Sequence, residues 1–377
     1  MNRLVIIGNG FDLAHGLKTN YKDFLLWYLK GCVREFEEKL EYQDLLVKVN
    51  GRYSRGKYEE IYKALTFEDF EKKCEEIDVS LKYDLASITD SISAPYDATK
   101  FFSTLIKSCI NGNWVDIENE YFKVLKLVIE KYKEDVNMNQ FYGNKLTNLN
   151  AELNFLKSKL IEYLLEIEQM NKSDEVVIDE IRKYLFGQIA LSDFSKDKED
   201  LHHYKGLEQV QLLNFNYTST AKRYLNEKEN RYTTVNDIHG TLVKPESVVF
   251  GFGDEMDELY TDMEQLNDNE FFTHIKSFKY FQNNNYWNLL KFIETYKFQV
   301  SIMGHSCGLS DRTMLNSIFE HENCTSIRLF YHKRADGTNN FTELTHEISR
   351  HFTDKAAMRS KIVPFENSEP LPNLKPQ

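Results

Sequence analysis

Proline is scarce in this 377-residue chain: six residues, four of which (Pro364, Pro370, Pro372 and Pro376) crowd its last stretch. The body is nearly free of helix breakers, and residues 364–377 are expected to form an extended or disordered tail. Cysteine is scarce as well. Cys32, Cys74, Cys109, Cys307 and Cys324 are odd in number and widely spaced, with no CxxC pair. That pattern excludes a zinc ribbon and a disulfide frame, and reads as reduced thiols of a cytoplasmic protein. No segment holds about 18 uninterrupted apolar residues, so no membrane span is expected. The apolar run in MNRLVIIGNGFD is too short for a signal-peptide core. Cations are outnumbered, 47 Lys and Arg against 59 Asp and Glu, for a net charge of −12. Affinity for a phosphate backbone comes mainly from clustered cations, so nucleic acid is a poor partner. A local basic pocket for one small anion stays open. There is no H-E-x-x-H, and His202 and His203 are adjacent, so no metal site is predicted.

What is present is an ordinary globular composition, 41% hydrophobic and 28% charged, enough for two domains or one domain with an insertion. Leu4–Ile7 is a short apolar run that meets Gly8-Asn9-Gly10-Phe11-Asp12 directly, as a buried strand meets a tight turn. From about Tyr21 to Leu185 the pattern is helical. The clearest stripes are Leu153, Leu156, Leu160, Leu164, Ile167 and Ile117, Tyr121, Leu125, Val128, Tyr132, with Gly51, Gly56, Gly112 and Gly143 as pauses. Charges at Lys196–Asp200 read as a solvated loop. Short apolar runs then recur at Val210–Leu213, Val235–Ile238, Val248–Phe250, Val300–Met303 and Ile327–Tyr331. A helical segment, about Phe271 to Lys297, separates the third and fourth. Strands alternating with helices predict an α/β fold with a parallel sheet. The expected organisation is a first strand and glycine loop (1–20), an α-helical insertion (21–205) that packs beside the sheet, the remainder of the sheet domain (206–363), and the tail.

Four polar segments follow expected strands: Gly8–Asp12, Asn214-Phe215-Asn216-Tyr217-Thr218, His239-Gly240, and Gly304-His305-Ser306-Cys307-Gly308 with Ser310 and Asp311 beyond. Ligands of open parallel sheets sit outside the carboxyl ends of the strands, so Gly8–Asp12, Asn216, His239 and Gly304–Ser306 are expected to line one cavity large enough for a dinucleotide. Gly8 and Gly10 would let a phosphate approach peptide N–H groups, though a plain strand-to-helix turn accounts for them equally well, and the full G-x-G-x-x-G is absent. Asn216 can donate to and accept from ribose hydroxyls, or serve turn chemistry. His239 could orient a hydroxyl or take a proton, or be a satisfied core histidine. Gly304–Gly308 also matches G-x-S-x-G, which would make Ser306 a hydrolase nucleophile with Asp311 or Asp336 and His346 or His351. Little chain remains after Ser306 for such a triad, so Ser306 is expected to be a loop residue near a nucleotide.

The opening LVIIGNGFDLAHGLKTNYKDF resembles the amino-terminal signature of the AbiH family of bacteriophage abortive infection proteins. The later NFNYT, IHG, FGFGDE and GHSCGLSD segments resemble the same pattern in the same order, as does NWVDIE around Trp114 and Glu118. The family in turn resembles sirtuin-like NAD-binding proteins of bacterial defence. That resemblance implies a Rossmann-like sheet and a phage-defence effector that binds NAD and hydrolyses it at the nicotinamide–ribose bond. It implies Asn216 and His239 as catalytic residues. Gly8, Asn9, Gly10, Phe11 and Asp12 form the implied phosphate loop, with Asp12 towards the nicotinamide. Thr218 would lie near the ribose, where the class often has Asp, and Gly304 and Ser306 near the adenosine, with Asp311 a further nucleotide-binding residue. The zinc-binding cysteine pairs of the deacetylases are missing, which points to nucleotide cleavage or sensing. The alternatives are a non-catalytic nucleotide sensor signalling through its helical part, and a serine hydrolase. A phage-derived trigger and a homo-oligomer are the further partners implied.

Overall fold

The computed structural model describes residues 1–52, 58–83, 100–110, 116–134, 139–171, 176–195, 206–225 and 232–374. Contacts divide the chain into two compact units, Met1–Thr19 with Leu164–Asp257 and Ile275–Gln377, and Asn20–Tyr163 with Glu258–His274. The strands are β1 (Asn2–Ile7), β2 (Tyr42–Gln43), β3 (Val47–Gly51), β4 (Val79–Tyr83), β5 (Val210–Asn214), β6 (Thr233–Asp237), β7 (Phe298–Met303), β8 (Cys324–Tyr331) and β9 (Glu369–Pro370).

The first unit holds a six-stranded parallel sheet in the order β6-β5-β1-β7-β8-β9. The expected pairing of the first strand with strands after Val210 is present: Val5 lies opposite Leu212 on one side and Ser301 on the other. Counted in chain order, these six strands run third, second, first, fourth, fifth, sixth, so the winding reverses between β1 and β7. All six residues of β1 are buried, which is why it reads as an unbroken apolar run and not an alternating one. Leu4 and Ile6 pack on one face, with Leu289, Phe292, Leu315, Ile318 and Leu344 from covering helices. Val5 and Ile7 pack on the other, with Phe11, Ile181, Leu185 and Tyr224.

That second face also carries buried polar groups. Arg328 Nη1 donates to Asp193 Oδ1 (2.7 Å) and Gln299 Nε2 to Asp193 Oδ2 (2.9 Å). Arg3, in the central strand, donates to the carbonyls of Leu185 (2.9 Å) and Gly187 (3.1 Å) at the end of the helix Asp179–Phe186. A guanidinium suits the negative end of a helix.

The second unit is mainly helical. Its helix Tyr21–Lys39 is capped by Asn20, whose side chain accepts from Asp23 N (2.8 Å). The two predicted stripes lie on the helices Ile117–Glu134 and Asn139–Met170, the second running on into the first unit. Tyr121 Oη donates to Asn150 Oδ1 (2.8 Å), and Asn150 Nδ2 to the Glu270 carbonyl (2.9 Å), tying three segments of this unit together.

Three expectations are corrected. The stretch 21–185 is not helical throughout, because β2, β3 and β4 form a small antiparallel sheet within it. Val79-Ser80-Leu81-Lys82-Tyr83 alternates with a period of two, and that is a strand pattern. Val248–Phe250 is not a strand: it is a buried extended segment held by Val249 N donating to His239 O (2.8 Å). The helical segment Phe271–Lys297 is broken into the helices Lys276–Tyr280 and Asn285–Thr295, with a turn between them in which Asn283 Oδ1 accepts from Asn285 N (2.8 Å). Gly51 ends β3 and Gly143 lies within a helix. Gly56, Gly112, Trp114, Lys196–Asp200, His202 and His203 lie outside the described residues. After Pro364 come a 3-10 turn, Phe365–Asn367, and β9 paired with β8. No helix among the described residues is long and apolar enough to cross a membrane.

Candidate functional site

The winding reversal sets β1 and β7 side by side, and their carboxyl ends continue into two glycine loops that touch. Gly8 N donates to Met303 O (3.2 Å) and Gly10 N to Gly304 O (2.8 Å). A Cβ on Gly8 would come within 2.5 Å of His305 Cα, and one on Gly10 within 2.8 Å of Gly304 Cα. Gly304 has φ +74°, and a Cβ there would stand 2.1 Å from Phe11 N. These glycines let two backbones meet. The amides of Gly8 and Gly10, which sequence reading offered to a phosphate, are thus bonded within the protein. Gly304→Ala is expected to cost about 3 kcal/mol or more, since left-handed strain adds to an overlap with backbone that cannot yield. An unchanged midpoint in urea would contradict this.

Beside them lies the β5 loop. Asn216 Nδ2 donates to Gly8 O (3.0 Å), and Thr218 Oγ1 to Asp12 Oδ2 (2.6 Å). Asn216 and Thr218 therefore brace the first loop. Asp12 is 1% exposed and its Oδ1 has no hydrogen-bond partner. Burial pushes its carboxyl up to about 6, against the opposing bond from Thr218 and the nearby polar groups of Thr220 and Asn216. The fold thus holds the Asp12 proton more tightly than the unfolded chain does. Stability falls as pH rises from about 4 through about 6, and the cost persists above. Asp12→Asn is expected to be more stable than the parent at pH 8, by up to about 3 kcal/mol, with the gap closing below pH 4. Denaturant midpoints at the two pH values check it; equal midpoints at pH 8 would refute it.

The third cluster centres on Asp311, which is 7% exposed. Lys276 Nζ donates to its Oδ1 (2.9 Å), and the Lys276 side chain is fully buried. His239 Nε2 is 3.2 Å from the same oxygen and His305 Nε2 is 3.6 Å from Oδ2. Burial alone would raise the Asp311 carboxyl, but Lys276 and the two histidines outweigh it and hold it well below the usual carboxylate range. Burial, helped by Lys276 and opposed by Asp311, lowers His239, which is neutral at pH 7. A carboxylate only accepts, so Asp311 fixes the His239 proton on Nε2 and leaves Nδ1 with the lone pair. His305 Nδ1 accepts from Cys307 N (2.9 Å), so its proton also lies on Nε2. The Phe215 ring stands between the histidines, 5.0 Å from His239 and 4.3 Å from His305.

His239 Nε2 is also 3.2 Å from Tyr280 Oη. Beyond it the His239, Tyr280 and Tyr286 rings stack in series, each pair within 10° of parallel. Asp311, Tyr280 and Tyr286 border a cavity of about 150 Å³, completed by Phe281, Met314, Thr313, Ser277, Gly253 and Glu255. That is room for about five waters at roughly 30 Å³ each, and it is below the roughly 300–1,000 Å³ of a drug-sized pocket.

The four segments therefore meet at one sheet edge, but Gly8–Asp12, Asn216, His239 and Gly304–Ser306 are not part of this cavity's lining. Other placements differ from a ligand-facing role. Phe11 is fully buried against His15 and Tyr224. Asn9 Oδ1 accepts from Thr19. Ser306 is exposed and, among the described residues, no histidine bonds its hydroxyl; His351 Nε2 is bonded to Cys307 O instead (2.7 Å). Glu118 is buried in the second unit. Among the described residues no group of three or more His, Cys, Asp or Glu could hold a metal ion. Lys276, Tyr280, Tyr286 and the role of His305 were not read from the sequence. His305 lay inside a segment already singled out, whereas Lys276 is in no motif.

Fold and site together define an α/β protein with a buried histidine–aspartate–lysine cluster at the carboxyl edge of a parallel sheet. A family model, bacteriophage abortive infection AbiH, matches residues 4–333. The chain belongs to that family, whose description assigns it to phage abortive infection. Neither the search of curated proteins nor that of solved structures found a match.

Proposed function

We propose that this protein is a phage-defence effector that binds NAD at the carboxyl edge of its sheet and hydrolyses the nicotinamide–ribose bond. The observation that carries the reading is the meeting of all four strand-end segments at the winding reversal between β1 and β7. This strand order is that of doubly wound dinucleotide-binding folds, whose ligands bind at the reversal, and it supports a Rossmann-like assignment. In the proposed reaction the C1′–N bond breaks with its electron pair passing to the pyridinium nitrogen, so nicotinamide leaves neutral. A water oxygen bonds C1′, and its proton passes to His239 Nδ1 and then to solvent. Asp311 would stabilise the His239 cation that forms. Asn216 and Thr218, bonded to Gly8 and Asp12, act as positioning residues for the first loop.

Incubating the purified protein with NAD, with and without extract of infected cells, and assaying free nicotinamide tests this. Release of nicotinamide is expected in at least one arm; none in either arm would refute cleavage. The engagement of Asn216 and Thr218 inside the protein favours a second reading, a nucleotide sensor without turnover. Saturable NAD binding without product would establish that one. Labelling by a fluorophosphonate, lost in Ser306→Ala, would instead revive a serine hydrolase.

A further inference from the structure

We infer that the cavity beside Asp311 takes a single planar, positively charged nitrogen heterocycle, and that the rest of the ligand, phosphates included, stays outside it. The inference deepens the function proposed above and rests on it only for the identity of the remaining ligand.

Size sets the first limit. About 150 Å³ admits one ring and its substituent, not a nucleoside or a dinucleotide. Shape sets the second. Three of the lining residues, Tyr280, Phe281 and Tyr286, are aromatic, and Met314 adds a polarisable thioether. Tyr280 and Tyr286 lie within 10° of parallel, and His239 within 10° of Tyr280. Flat walls select flat ligands.

Charge sets the third. The lining has two carboxylates, Asp311 and Glu255, and no lysine or arginine. Lys276 offsets Asp311 from behind at 2.9 Å, but it is fully buried and not part of the lining. Aromatic rings and carboxylates both favour cations and repel anions. A phosphate entering here would face acceptors it cannot satisfy. A pyridinium or another cationic heterocycle meets cation–π attraction and an acceptor for any N–H it carries. Asp311 Oδ2, whose nearest histidine nitrogen is at 3.6 Å, has acceptor capacity left for that bond. The exposed Phe281 marks the rim.

The test uses the full chain and three probes: 1-methylnicotinamide (cationic), benzamide (a neutral ring carrying the same amide) and inorganic phosphate. Binding is read by ligand-observed NMR and calorimetry. The cationic ring is expected to bind at least tenfold more tightly than benzamide, with no phosphate competing for the cavity. Tyr286→Ala should weaken it at least tenfold, while Ser158→Ala, an exposed position in the second unit, should leave it unchanged. A denaturation curve on each variant shows whether it has folded. Equal affinity for the two rings, displacement by phosphate, or full binding by a folded Tyr286→Ala protein would overturn the inference. The two proposals fail separately. If the cation binds at this cavity but NAD is never cleaved, the cavity stands and the hydrolase reading falls. If NAD is cleaved but 1-methylnicotinamide neither binds nor competes, the cavity assignment falls alone.

Discussion

The Asp311→Asn protein is expected to be about 3–5 kcal/mol less stable than the parent, although Asp311 is not a hydrophobic core residue. The cost arises at Lys276. Its side chain is fully buried, and the 2.9 Å contact with Asp311 Oδ1 offsets much of its desolvation. Removing the charge of one member of a buried pair takes that offset from the other. The double variant Asp311→Asn, Lys276→Met should recover most of the loss, because the pair's own attraction roughly cancels its desolvation. Urea denaturation of the parent, both single variants and the double variant separates these terms. A single variant within 1 kcal/mol of the parent would refute the account.

The same cluster fixes a pH dependence. The Asp311 carboxyl is held below its ordinary value in the fold, so its contribution is present above about pH 4 and is lost as pH falls through the lower folded value. His239 is also lowered, so the unfolded chain binds its proton first. Stability from that source is full above about pH 6.5 and declines below it. Asp12 acts in the opposite sense between about 4 and 6. The acid limb of the parent is therefore the resultant of opposing groups, and Asp12→Asn should steepen it.

His239→Ala is expected to lower the rate of NAD cleavage by about 10²–10⁴ and to abolish phage protection while the fold survives. The imidazole is the only one of the cluster's groups argued to take the water proton, and its loss leaves the Asp311–Lys276 pair intact. A positioning role alone would show chiefly in KM, whereas a proton-accepting role shows in kcat and in the pH profile. Equal cleavage by a folded His239→Ala protein would sink the catalytic assignment. Asn216→Ala should act through the glycine loop, whose Gly8 carbonyl it bonds. It should therefore shift KM as well as kcat.

Much of the sheet was legible in the chain. Strands buried on both faces must be apolar throughout, and Leu4–Ile7, Val210–Leu213, Val300–Met303 and Ile327–Tyr331 all announce themselves that way. β2 to β4 were overlooked because the helical stripes around them dominated the reading. Val248–Phe250 misled because a buried loop and a buried strand share one composition; only the hydrogen bonds distinguish them.

The sequence by itself determined that four polar segments follow strands of one parallel sheet, since strand direction and the strand-then-turn order are local properties. Only the tertiary structure decided what those segments do to one another. Gly8 and Gly10 read as open space for a phosphate, yet with Gly304 they make close contacts between two loops nearly 300 positions apart, because a missing Cβ serves either purpose. Arg3, a charged residue in no motif, lies buried in the central strand against a helix end. Lys276 belongs to no motif, and His305 was passed over for Ser306, but the fold brings both to Asp311. A charge is functional or structural according to the partner that meets it across the fold, and sequence spacing carries no record of that meeting.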